Sequence, residues 1–305
     1  MMAKNALIHI GYHKSGTSFL QDKVFQKFGD YFSLVHRKLI GQKFIEPTPF
    51  HFDIEEAKSF CEKEINNTTS TYSVFSNERL SGSPHAGDFN TKYIADRLVE
   101  CLPHAKVIII IREQKDMIKS SYFQYLKARG SCDIKEYMMP KNASFFRLNS
   151  LKYHLLIHYY YQLFGENNVL VLPYEMLKST PEKFLEYFFQ FLGLNANDFL
   201  QDIDISQKVN EALKPVQLQL KRYFNPFIME HFLKAGSTFN NKLAKISFST
   251  MNRILAKVPT KKMDTTIDNK IEKLIHEYTK NRYEASNHKT SELIGVNLKD
   301  YGYAV

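Results

Sequence analysis

The chain has 305 residues, with 41 Lys plus Arg against 32 Asp plus Glu, for a formal charge of +9 and a pI near 9.2. Its 44% hydrophobic and 14% aromatic content is enough for a sizeable core and excludes disorder along the whole chain. Three cysteines, Cys61, Cys101 and Cys132, without CxxC or other ligand-like spacing, argue against a disulfide framework and a structural zinc site, and read as reduced thiols.

Met1-Met2-Ala3-Lys4-Asn5 leads straight into an apolar run too short for a secretory signal. The longest β-branched run, Val107 to Ile111, is far below the ~20 residues needed to span a bilayer. A soluble, cytoplasmic protein is expected.

The first strand-like run is Ala6 to Ile10, followed by a glycine-containing loop and helical spacing from Thr17 to Phe28. A second run, Tyr72 to Ser76, precedes a helical stretch from Thr91 to Leu102. The third, Lys106 to Ile111, precedes helices predicted over Gln114 to Lys127 and Leu151 to Phe164. Asn168 to Leu172 is the fourth. This alternation predicts βαβ units and a parallel sheet. The unbroken apolar run Val107 to Ile111 predicts a central strand covered on both faces. After Leu194 the strand signals stop, and helices are predicted over Glu211 to Leu233, Asn240 to Lys257 and Ile267 to Asn287.

Open α/β sheets bind ligands at the carboxyl ends of their strands, which directs attention to two loops. The first strand runs into Gly11-Tyr12-His13-Lys14-Ser15-Gly16-Thr17-Ser18 and then a helix. Backbone N–H groups and a helix dipole converge on an anion in such a turn. Gly11 and Gly16 have P-loop spacing, but Thr17 stands where a nucleoside triphosphatase has its lysine, and the lysine is moved to Lys14. The third strand ends in Arg112 and not in a magnesium-binding carboxylate. Read alone, the turn is also compatible with a helix cap that binds nothing.

His13-Lys14-Ser15-Gly16-Thr17-Ser18 resembles the 5′-phosphosulfate loop of sulfotransferases that use 3′-phosphoadenosine 5′-phosphosulfate (PAPS), with His13 in place of the usual proline. Arg112, Asp116 and Ser120 stand at the spacing of the family's 3′-phosphate motif, Arg-x-x-x-Asp-x-x-x-Ser. The stretch from Asn168 through Tyr174-Glu175-Met176-Leu177 to Phe191-Leu192-Gly193-Leu194 is similar to the family's fourth strand and following helix. There Glu175 reads as a turn or cap residue. The tail, with Tyr283 to Ser286, Asn287 and Tyr301-Gly302-Tyr303, resembles the ends of bacterial members.

The resemblance implies an α/β fold: a P-loop-like parallel sheet flanked by helices, with a helical C-terminal third. A single domain, 1–305, is expected, with a nucleotide-binding core over 1–200 and a helical region over 201–305. PAPS is the implied co-substrate, with no metal. The implied nucleotide ligands are Lys14, Ser15, Gly16, Thr17, Ser18, Arg112 and Ser120. Lys14 is the implied stabiliser of the departing phosphate. Glu78, in Asn77-Glu78-Arg79-Leu80-Ser81-Gly82 after the second strand, is the expected general base. It could instead pair with Arg79 or cap a turn. His85 is the reserve base and His13 a poorer one. Lys208 and Asn210 fall in a region that closes over the nucleotide in the family.

The expected acceptor is a hydroxyl of a carbohydrate or glycolipid, with a small alcohol, phenol or amine as the alternative. Rivals of other classes are a P-loop kinase and a non-catalytic nucleotide- or glycan-binding protein. Between Ser206 and Lys262 there are eleven Lys or Arg and two acids, so this segment holds the whole excess charge. Its stretch Phe239 to Val258 alternates apolar residues with Lys242, Lys245, Arg253 and Lys257. Such a helix either packs on the domain or touches an anionic membrane. The segment offers a surface for an acidic acceptor or a lipid, and no nucleic-acid module is recognisable.

Overall fold

The computed structural model of the protein describes residues 5–12, 15–82, 87–128, 130–139, 146–204, 213–228, 250–251, 253 and 259–305. Five strands occur in chain order: β1 (Asn5–Gly11), β2 (Phe32–Leu34), β3 (Tyr72–Ser76), β4 (Lys106–Ile111) and β5 (Val169–Pro173). The main helices are α1 (Thr17–Leu20), α2 (Ile54–Asn66), α3 (Thr91–Cys101), α4 (Gln114–Lys127), α5 (Tyr153–Phe164), α6 (Tyr174–Ser179) and α7 (Pro181–Phe191). They continue with α8 (Pro215–Ile228), α9 (Lys261–Thr279) and α10 (Glu284–Ile294).

The strands form one sheet in the order β2-β3-β1-β4-β5, every pair parallel. The chain leaves β1 toward β2 and β3 on one side, then crosses to β4 on the other. That reversal opens a crevice at the carboxyl end of β1. Ile8 stands opposite Phe75 on β3 and Val107 on β4, and Ile111 opposite Pro173 on β5. The register therefore releases the loops after β1, β3, β4 and β5 along the same edge.

Val107 through Ile111 are fully buried, as the unbroken apolar run predicts. Successive side chains point to opposite faces. Ile108 and Ile110 pack in a cluster with Phe25, Phe184 and Phe188, while their neighbours fill the other face. Burying each such side chain contributes about 2 kcal/mol.

The short edge strand β2 is absent from the sequence expectation, because three residues are too few to display a period. Phe32 pairs with Tyr72 across it, and the two rings stack with centroids 6.1 Å apart. The helix predicted from Thr17 to Phe28 is α1 followed by a π-helical turn, Gln21–Phe25. The helix predicted over Ile267 to Asn287 is two helices, α9 and α10, separated by residues 280–283 with Asn281 at φ +56°. Of the helix predicted over Glu211 to Leu233, the described part is α8. Most of the one predicted over Asn240 to Lys257 lies outside the described residues.

The chain forms two compact units. The first comprises Met1–Met117, Arg147–Val209 and Asn281–Val305 and contains the sheet; the second comprises Ile118–Phe146 and Asn210–Lys280. In the second, Tyr122, Tyr137 and Phe146 are buried, with Tyr137 stacked on Phe146 and tilted against Tyr122. There Asn225 Nδ2 donates to the carbonyls of Leu126 and Gly130 at 3.0 and 2.6 Å. Lys119 pairs with Asp268 and Glu272 at 3.2 and 2.7 Å. Among the described residues no helix is long and apolar enough to cross a membrane.

Candidate active site

The loop after β1 is built by two glycines and one serine. Gly16 caps α1 at φ +84°, a left-handed conformation costly for any residue with a β-carbon. A β-carbon on Gly11 would stand 2.2 Å from Thr17 Oγ1, so the loop folds back onto the strand end only because that atom is missing. Ser15 is fully buried, and both its N–H (3.1 Å) and its hydroxyl (2.5 Å) donate to the Tyr12 carbonyl. It closes the turn from inside, with both donors engaged within the loop. The N–H groups of Thr17 and Ser18, in the first turn of α1, have no acceptor within the helix. Thr17 Oγ1 is buried with no hydrogen-bond partner among the described residues, an open donor on the inner side of the loop. His13 and Lys14 lie outside the described residues.

Arg112 follows β4 with its side chain largely buried. Its backbone is pinned by Tyr153, whose hydroxyl donates to the Arg112 carbonyl at 2.6 Å. Its guanidinium lies 3.4 Å from Asp116 Oδ2, one helical turn on, so Asp116 orients the fork. Glu113 caps α4, accepting the Asp116 N–H at 2.9 Å. Ser120 lies one further turn along α4, within the second unit.

Tyr174 opens α6 after β5 and was read from the sequence only as part of a structural turn. Its ring touches the loop: a β-carbon on Gly16 would meet two of its ring carbons at 2.8 Å. The Arg112 guanidinium sits 5.2 Å above the same ring and the Lys178 ammonium 5.3 Å from its centre. Lys178 also approaches Asp116 at 3.9 Å. One aromatic ring thus joins the two motifs and gathers two cations beside them. Spacing along the chain carried no signal for it, because Tyr174 stands more than sixty residues from Arg112.

Glu175, the next residue, ties strand ends together. It accepts the Glu113 N–H at 3.1 Å and the Tyr303 hydroxyl at 2.9 Å. Burial raises its pKa, against the opposing pull of these hydrogen bonds and of Arg112. The tail closes around this point. Asn287 exchanges hydrogen bonds with Gln114 and donates to the Ala304 carbonyl at 2.8 Å, while Tyr283 donates to the Leu148 carbonyl at 2.9 Å.

After β3, Asn77 caps a 3-10 turn, Glu78–Ser81, by accepting the Arg79 N–H at 2.9 Å. The Ser81 hydroxyl donates to the Glu78 carbonyl at 2.8 Å and lies 3.5 Å from the Gly11 carbonyl, which sets this turn against the start of the loop. Glu78 is partly buried, and its Oε1 is paired with Arg37, not with Arg79. His85 lies outside the described residues.

Two further ionisable groups adjoin these elements and were not singled out in the sequence. Asp88 adopts φ +53°, and burial raises its pKa, with Ser150 and Arg147 opposing. A β-carbon on Gly82 would lie 3.1 Å from its Oδ1. His9, fully buried in β1, places Nδ1 2.8 Å from Ser76 Oγ, which also accepts from Gln21 Nε2 at 2.8 Å. Burial holds its pKa down at about 3, so the imidazole is neutral at physiological pH.

Lys208 and Asn210, and most of the basic 206–262 segment, including Lys242, Lys245 and Lys257, lie outside the described residues.

Residues 4–283 match the family model described as a sulfotransferase domain. No curated protein matched the chain. Among solved structures the chain is similar to a sulfotransferase from Alicyclobacillus acidocaldarius, at 19% identity and a TM-score of 0.49, covering 73% of this chain and 92% of that one. It is also similar to mouse sulfotransferase SULT7A1 complexed with PAP, at 14% identity and a TM-score of 0.38, covering 96% and 90%. The family match takes in the loop after β1, the Glu78 turn, Arg112 and Tyr174 together, and the chain belongs to the sulfotransferase family, as a transferase enzyme.

Proposed function

We propose that the enzyme transfers a sulfuryl group from PAPS to an acceptor hydroxyl on a carbohydrate or glycolipid. The observation that most supports the donor is the contact of Tyr174 with both Gly16 and Arg112. It brings the glycine turn after β1 and the Arg112 fork to one ring, which supports a nucleotide with phosphates at its 5′ and 3′ ends. The Thr17 hydroxyl, buried and without a hydrogen-bond partner among the described residues, is a donor that suits an anionic oxygen.

In this reading the N–H groups of Thr17 and Ser18, the Thr17 hydroxyl and Lys14 hold the 5′-phosphosulfate, and Ser15 shapes the turn. Arg112, steadied by Asp116, takes the 3′-phosphate. The acceptor oxygen attacks sulfur, and the bond from sulfur to the bridging phosphate oxygen breaks. The acceptor proton passes to Glu78, and adenosine 3′,5′-bisphosphate leaves. Arg37 engages Glu78 Oε1 and leaves Oε2 for that proton. Lys14 and the loop N–H groups stabilise charge growing on the departing phosphate. Asp88 is the alternative base, supported by its buried carboxyl beside Gly82. The basic 206–262 segment supports an acidic acceptor, or one carried on an anionic lipid surface.

The test is label transfer. The pure protein is incubated without magnesium with sulfur-labelled PAPS, or with phosphorus-labelled ATP, and a panel of sugars, glycolipids and phenols. Transfer from PAPS to a saccharide is the expected result. Transfer from PAPS to phenols alone would replace the acceptor, and transfer from ATP alone would overturn the reading.

A further inference from the structure

Three polar side chains from three elements of the first unit meet at the strand ends beside the loop after β1. His9 on β1 stands directly opposite Ser76 on β3, and both are buried. Gln21, the first residue of the π-helical turn after α1, is half-buried. Ser76 Oγ lies 2.8 Å from His9 Nδ1 and accepts from Gln21 Nε2 at 2.8 Å. The Phe25 ring meets the imidazole edge-on, with centroids 5.6 Å apart, and packs it in place. With the proton of the neutral imidazole on Nε2, the Ser76 hydroxyl donates to Nδ1 while it accepts from Gln21, and only the Nε2 N–H is left over. With the proton on Nδ1, both Nε2 and the Ser76 hydroxyl proton would be left over. The first arrangement, with one orphan instead of two, is favoured, and His9 Nε2 is indeed buried with no hydrogen-bond partner among the described residues. Such an atom costs about 1–3 kcal/mol, which an apolar residue at position 9 would avoid. What the imidazole supplies instead is direction, by aiming the Ser76 hydroxyl.

We propose that Ser76 is a positioning residue: its hydroxyl, clamped between His9 and Gln21, sets the Glu78 turn at a fixed offset from the loop after β1. Ser76 ends β3 and stands two residues before Glu78, while His9 stands two before Gly11 and Gln21 four after Thr17. The network therefore joins both flanks of the loop to the root of the turn. The backbone repeats the tie. The Asn77 N–H donates to the His9 carbonyl at 3.4 Å, and Asn77 Nδ2 donates to the Arg37 carbonyl at 3.3 Å. The proposal rests on the sulfuryl-transfer reading with Glu78 as base. In that reaction the base and the phosphosulfate hang from different strand ends, so their offset decides whether the acceptor proton leaves as the acceptor oxygen meets sulfur. A misplacement of about 1 Å at a reacting group costs about a hundredfold in rate. Ser76, being buried, acts through Glu78 and not on the acceptor.

The experiment is a double-mutant cycle in the full-length protein. Ser76→Ala, Glu78→Gln and the double variant are compared by steady-state transfer of label from PAPS to an acceptor that the wild type uses. Ser76→Ala is expected to lower kcat about tenfold to a hundredfold with the KM for PAPS unchanged. In the Glu78→Gln background it should lower kcat no further, because a residue that acts through the base has no effect once the base is gone. Should Ser76→Ala fail to fold, Gln21→Met, which withdraws one donor from Ser76, takes its place in the cycle and is read in the same way, with a smaller fall in kcat. Equal proportional losses in both backgrounds, or a raised KM for PAPS with kcat unchanged, overturn the positioning role alone. Wild-type kcat in Glu78→Gln removes the base, and no transfer from PAPS by the wild type removes the reaction; either result appears without Ser76 being touched and overturns the proposal with the reading beneath it.

Discussion

The Tyr174 ring lies so close to Gly16 that a β-carbon there would stand 2.8 Å from two of its carbons. Contact and backbone angle both require glycine, since φ at Gly16 is +84°. For a residue with a β-carbon the left-handed conformation alone costs about 1–2 kcal/mol. Gly16→Ala is expected to lower the melting temperature and to weaken PAPS binding at least tenfold. Calorimetric titration with PAPS checks this, and a variant that binds like the wild type would show that the loop does not hold the donor.

Arg112 offers a planar fork, which lysine cannot reproduce. Hydrogen bonds to charged groups contribute about 1.5–3 kcal/mol each, so Arg112→Lys should weaken PAPS binding roughly tenfold to a hundredfold. Tyr174→Leu, which removes the ring beneath the guanidinium, should give a smaller loss in the same direction. Steady-state kinetics should show both as a raised KM for PAPS. Unchanged KM in both variants would place the 3′-phosphate elsewhere.

Glu78→Gln removes the proposed base and keeps the shape of the turn. General base catalysis contributes about 10²–10⁴-fold, and kcat should fall by that much with PAPS affinity little changed. Asp88→Asn is the companion variant. If it abolishes turnover while Glu78→Gln does not, Asp88 is the base.

The buried His9 makes a prediction about acid. Its folded pKa, about 3, lies below the ordinary value of 6.5, so the unfolded chain takes up a proton that the folded chain refuses. Its contribution to stability is present above pH 6.5 and is lost as pH falls toward 3. The carboxyls of Asp88, Glu113 and Glu175, raised by burial, act in the opposite sense: their contribution is full below their unfolded values and is lost as pH rises through the folded ones. They are common to wild type and variant, so they cancel in a comparison. In urea unfolding, His9→Gln should lose less stability than the wild type between pH 7 and pH 5. Equal losses would mean that His9 reaches solvent.

The residues of the proposed nucleotide side can be picked out from the chain because they are local in sequence. Gly11 to Ser18 is one loop, and Arg112 and Asp116 are one helical turn apart, so spacing carried them. Likewise Val107 to Ile111 announced a buried strand by having no polar face at all. The Arg37 partner of Glu78 and the Glu175 tie to Tyr303 join residues far apart in sequence, for which local period has no information.

By itself, then, the sequence determined the parallel α/β class and the order in which the glycine turn, the Glu78 turn and Arg112 leave their strands. Backbone propensity and apolar period are local properties, and they suffice for that. Only the tertiary structure decided that the loops after β1, β3, β4 and β5 open on one edge, with Tyr174 against both Gly16 and Arg112. The physical reason is strand register: parallel pairing at fixed spacing converts separations of tens of residues into contacts of a few ångströms.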